Sequence, residues 1–200
     1  MSIKYANNNS LSAIDTKPSG LSGGAMTLLS TETASSSDTI SFTSGIDDTY
    51  KEYIIKFINI HPATDGEDLQ VNFRDGSSAY DATKTTTTFR AYHDEADSDT
   101  ALGYDTGSDL AQSTGIQKLI NSVGADNDQC VSGILKLFDP SSTTFVKHFI
   151  VETQALQSND TSKIQFTAGY CNTTTAIDGV QFSMSSGDID AGTFKLYGVS

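Results

Sequence analysis

The stretch Leu69-Gln70-Val71-Asn72-Phe73-Arg74-Asp75-Gly76 decides the fold. Its apolar residues occupy every second position, and a turn-forming Asp-Gly pair closes it. Successive side chains of a strand point to opposite faces, so this pattern describes a strand with one face on a core and one in water. The same reading extends outward along the chain. Ile40 and Phe42 share a face within Thr39–Thr43. Ile164, Phe166, Ala168 and Tyr170 alternate with Gln165, Thr167 and Gly169, and Val180, Phe182 and Met184 alternate with Gln181 and Ser183. In each case the apolar set is expected to face the core. Turn steps at Asp65-Gly66, Asp75-Gly76 and Ser186-Gly187 separate short strands, the pattern of a sandwich or barrel. The expected fold is all-β: an antiparallel two-sheet sandwich, jelly-roll-like, spanning residues 25–200, with an extended N-terminal arm over residues 1–24.

The composition agrees. Of 200 residues only 18% are charged, while ten Phe and eight Tyr supply the large apolar groups that a core needs. A net charge of −13, from 12 basic and 25 acidic residues, argues against binding to nucleic acid or to anionic membranes. No stretch approaches the roughly 20 apolar residues of a membrane helix. Nor does the N-terminus carry an apolar run behind a basic segment, so no signal peptide is expected. Cys130 and Cys171 allow one disulfide or two buried thiols.

Two segments depart from simple alternation. In Tyr50–Ile60, Tyr53, Ile55 and Phe57 fall on one face and Ile54, Ile58 and Ile60 on the other. In Phe145–Val151, Phe145, Phe149 and Val151 oppose Val146 and Ile150. A strand apolar on both faces needs cover on both, from a loop, the arm or another subunit. The arm itself has scattered apolar residues, of which Ile3, Tyr5, Leu11 and Ile14 are the candidate docking contacts. Gly192–Val199 reads as a last strand that closes the sheet. Residues 94–128 are the least legible, with a short helix or strand expected around Ile116–Ile120.

No catalytic motif emerges. The three histidines have no metal-ligand spacing, and there is no nucleophile elbow or phosphate loop. An enzyme is not expected. The acidic run Asp94, Glu95, Asp97 and Asp99 offers oxygen ligands that suit Ca²⁺, but it lacks the EF-hand pattern. Solvated loop acids are its ordinary role. Tyr80, Tyr92 and Tyr104 lie in or near expected loops and are candidates for stacking on glycans.

The runs TKPSGLSGGAMTLLSTETASSSDTISFTSGIDDTYKEYIIKFINIHPATDGEDLQVNFRDGSSAY, FRAYHDEAD, LFDPSSTTFVKHF and FTAGYCNTTTAIDGVQFSMSSGDIDAGTFKLYG resemble a family of virion structural and tail-fibre-like proteins of marine tailed phages. The resemblance covers about Lys17 to Gly198 and brings no catalytic residues with it. It implies a protein made in the bacterial host cytoplasm and assembled on the virion surface, with reduced cysteines and other virion proteins as partners. The expected role is a capsid or head decoration protein docked through its arm. A tail-fibre or receptor-binding module that recognises host glycans is the alternative. A homo-oligomer is expected, a trimer by analogy.

Overall fold

The computed structural model describes residues 25–200, which form twelve strands in two antiparallel sheets. The expected docking contacts Ile3, Tyr5, Leu11 and Ile14 lie outside the described residues. The strands are β1 (Met26–Ser37), β2 (Thr39–Phe42), β3 (Glu52–Pro62), β4 (Glu67–Arg74), β5 (Lys84–Asp94), β6 (Thr100–Tyr104), β7 (Gln117–Val123), β8 (Val131–Phe138), β9 (Lys147–Leu156), β10 (Thr161–Cys171), β11 (Gly179–Met184) and β12 (Ile189–Val199). The large sheet runs β1-β12-β3-β8-β9-β10-β5-β6 and the small one β2-β11-β4-β7.

Eight of these strands follow a recognisable wrapping. Strands β1, β12, β3 and β8 face β2, β11, β4 and β7, which is the double-sheet order of a jelly roll. The other four are two hairpins, β5–β6 inserted between β4 and β7, and β9–β10 inserted between β8 and β11. Both join the large sheet beyond β8, where β9 and β10 still meet β7, the last strand of the small sheet, and the large sheet continues past it.

The core lies between the sheets where they overlap. Leu69, Val71 and Phe73 of β4 and Val180 and Phe182 of β11 are fully enclosed, as the alternation predicts. They meet Tyr53, Ile55 and Phe57 of β3 and Phe194 and Leu196 of β12. Phe57, Phe182 and Phe194 pack ring to ring, with centroids 4.9–6.2 Å apart. Cys130 and Cys171 are free thiols; burial pushes Cys171 up to about 12.

Three expectations are corrected. In β3, Ile60 is buried rather than opposite Phe57, because the register with β8 shifts between Phe57 and Ile60. Asn59 takes a left-handed φ of 52° there, as a bulge requires, and the bulge turns the next side chain inward. Phe145 precedes β9 in a turn and is 70% exposed, not aligned with Phe149. In β10 the faces are reversed. Lys163, Gln165 and Thr167 point inward and are buried, while Ile164, Phe166, Ala168 and Tyr170 take the outer face. The expected last strand is present as β12, paired with β1 on one side and β3 on the other. The open reading around Ile116–Ile120 resolves as strand β7, and β6 lies in the same poorly legible region.

Candidate functional site

The reversal in β10 follows from the overhang. The small sheet ends at β7, so the inner faces of β10 and β5 meet no apolar layer. They meet β7 and the 105–116 segment instead, and both bring polar groups. Thr86 donates to Gln117 Oε1 at 2.8 Å, and Gln117 Nε2 donates to the Ser108 carbonyl at 2.7 Å. Thr153 donates to the Leu119 carbonyl at 3.0 Å. Polar side chains can be buried here because they find partners. Gln165 is the exception: neither of its side-chain polar atoms has a hydrogen-bond partner among the described residues.

With polar groups inside, the apolar members of the same strands are turned outward. Strand register aligns them into rows across the outer face. One row runs Ile134, Glu152, Phe166, Phe89 and Tyr104, and the next runs Gln154, Ile164, Ala91 and Leu102. Phe89 and Phe166 stack with centroids 4.8 Å apart and planes inclined by 16°. Leu102 is 78% exposed and Phe89 46%. An open hollow of about 450 Å³ adjoins them, lined by Thr85, Thr87, His148, Ile150, Ala168 and Tyr170. Contiguous apolar surface of this kind marks an interaction site more often than scattered single residues do. Further along the same face the register runs Lys195, Lys56, Ile134 and Glu152, with Lys136 opposite Ile150. In a chain of net charge −13 this sheet face is therefore locally not acidic.

At the inner mouth of the overhang lies a small polar recess of about 210 Å³, lined by Arg90, Tyr92, Asp99, Asn121, Gln157 and Lys163 among others. Arg90 pairs with Asp105 at 2.8 Å, and Lys163 Nζ lies 3.9 Å from the same Asp105 oxygen. Lys163 also donates to Asn121 Oδ1. Burial and the nearby Arg90 guanidinium bring the Lys163 ammonium down to about 8. Burial alone would push Asp105 up, but Arg90 and Lys163 outweigh it and hold the carboxyl below its ordinary value.

The expected site residues are not brought together. Tyr92 lines the polar recess, with Arg90 over its ring at 6.0 Å. Tyr104 is in the outer apolar row and donates to Asp109 at 2.8 Å. Tyr80 precedes β5 at its opposite end, where Arg74 lies 5.8 Å from its ring. The acidic run forms the β5–β6 turn. Asp94 accepts hydrogen bonds from Ser98 and Asp99, which hold it at about 2, and Asp97 pairs with His93 at 3.1 Å. Among the described residues no group of three or more His, Cys, Asp or Glu side chains is placed to hold a metal ion.

Sequence reasoning missed Arg90, Asp105, Asn121 and Lys163. Lys163 shares the face of Gln165 and Thr167, which the alternation put in water, and only knowledge of where the small sheet ends could have turned that face inward.

Fold and site together define an all-β sandwich protein whose large sheet overhangs its partner and exposes an apolar outer face. No protein-family model matches the chain, and no curated protein matches it by sequence.

Proposed function

We propose that this chain is a structural protein of the virion surface, a decoration protein seated on its particle through the outer face of the overhanging sheet. The observation that carries this reading is the reversed burial of β10 and β5. Aromatic and aliphatic side chains occupy the solvent face while lysine, glutamine and threonine occupy the interior. A free-standing sandwich gains nothing from that arrangement, because exposed apolar area forfeits about 25 cal/mol per Å² relative to burial. A docked one recovers it. The jelly-roll wrapping is common in viral coat proteins, which supports the reading by analogy with the fold alone.

The test is reconstitution. Particles stripped of the protein should rebind wild-type chain at high copy number and fail to rebind the double variant Phe89→Ser, Leu102→Asp. Both residues lie on the exposed face, so the variant should keep the wild-type circular dichroism, with the melting point lowered only by the lost Phe89–Phe166 stack. Equal rebinding by the variant, or absence of the chain from purified particles, overturns the proposal. The alternative, a receptor-binding module, is favoured by Tyr92 in the polar recess. Saturable binding on a glycan array, lost on Tyr92→Ala, with only a few copies per particle, would move the assignment there.

A further inference from the structure

We propose that Lys163 and Asn121 become joined by an amide cross-link between their side chains, formed by the protein itself, which ties the large sheet to the small one.

Three features of the geometry support it. The first is contact. Lys163 on β10 is 98% removed from solvent at its side chain, and its Nζ lies against the carboxamide of Asn121 on β7, one bond from Cγ. The second is activation. A lysine is a nucleophile only as the neutral amine, and desolvation beside another cation favours that form. Lys163 has both conditions, being buried and next to Arg90. The third is the surrounding chemistry. The Asp105 carboxylate, itself buried, is the nearest acid to Nζ, at 3.9 Å, close enough for a small shift or one water to make it a proton relay. Gln157 Nε2 donates towards Asn121 Oδ1 at 3.4 Å, where negative charge would develop.

The step balances without any co-reactant. Lys163 gives a proton to Asp105, and the neutral Nζ attacks Cγ of Asn121. The Cγ–Nζ bond forms and the carbonyl oxygen takes the charge. Asp105 then moves a proton from Nζ to Nδ2, the Cγ–Nδ2 bond breaks, and ammonia leaves carrying the remaining proton as ammonium. Asp105 ends as the carboxylate it began as, and no oxidation occurs.

A second buried pair sharpens the assignment. Lys84 on β5 donates to Asn72 Oδ1 on β4, and burial brings Lys84 down to about 8 as well. Lys84 also donates to the Ala82 carbonyl at 2.9 Å, but among the described residues it has no ion-paired carboxylate to relay a proton. Burial and contact are shared by the two pairs; the relay is present only at Lys163. One cross-link is expected, not two.

The experiment uses the full chain, purified folded and held for several days at about pH 8, then denatured and weighed by mass spectrometry. The expected mass is that of the sequence less one ammonia. Trypsin should fail to cut after Lys163, and the peptide Leu119–Lys136 should be found as a branch at that lysine. Lys163→Met and Asp105→Asn should each give the unmodified mass. A wild-type chain of full sequence mass overturns the proposal, whether or not either variant folds. Loss of ammonia with Leu119–Lys136 unbranched, which signals a succinimide, also overturns it. So does a branch found only between Asn72 and Lys84.

Discussion

Lys84 shows what a single buried charge does to this protein. Its side chain is enclosed, and its ammonium is held by two oxygens rather than by an acid. Burial lowers the group from 10.5 to about 8. Between those values the unfolded chain carries a proton at this position that the folded chain has lost, so raising the pH favours the folded state. The buried Cys171 thiol works against this above its ordinary value of 9.0, because only the unfolded chain ionises there. The window free of that opposition therefore lies between about pH 8 and about pH 9, and there Lys163, also lowered to about 8, adds to the rise. We expect the urea midpoint to rise across that window in the wild type and to rise less in Lys84→Met. An unchanged slope in the variant would remove Lys84 as a source. None of this was legible from sequence. A lysine next to threonines at the start of a strand reads as exposed, and only the reversed face of β5 encloses it.

At the level of the strand, alternation is a sound guide to face and a poor guide to which face is the inner one. It was correct for β2, β4 and β11, whose apolar sides meet the opposite sheet. It failed for β10, whose polar side meets Gln117 and the 105–116 segment. Period two is a local property, whereas the inner side is set by whether another layer stands opposite. The bulge at Asn59 was invisible for a related reason, since a one-residue insertion reverses every later side chain without altering the composition. Close packing also explains Gly133 in β8. A Cβ there would overlap the Glu152 carbonyl and the Phe57 ring, and the former is backbone. Gly133→Ala should therefore destabilise the fold by about 2 kcal/mol, as overpacked cores do. Denaturant titration would measure this, and a loss near zero would mean that β8 and β9 can separate more easily than their pairing implies.

For the molecule as a whole, charge and cover are the governing properties. A net charge of −13 is spread over a surface with few ion pairs among the described residues, and those such as Lys51–Asp139 are largely exposed and contribute little. Mutual repulsion should dominate at low ionic strength. Going from about 0.01 M to about 0.15 M salt shortens the screening length from about 30 to about 8 Å, so the melting temperature should rise. A fall would mean that attractive pairs outweigh the repulsion. The class of fold was readable at this scale, because many short one-sided strands admit few architectures. The overhang was not readable, because it depends on which strands pair across long separations.

The overhang also sets an order of assembly. Hairpin β5–β6 leaves the ribosome before β9–β10, yet in the finished sheet it lies outside β10, which is the strand that joins it by backbone pairing to the rest of the large sheet. The earlier hairpin must therefore wait until β9 has joined β8 and β10 has joined β9. During that interval Phe89 and Leu102 have no sheet to belong to. Synthesis from one end to the other thus leaves a transient, sticky intermediate, and the step that ends it is the arrival of the strand carrying Lys163.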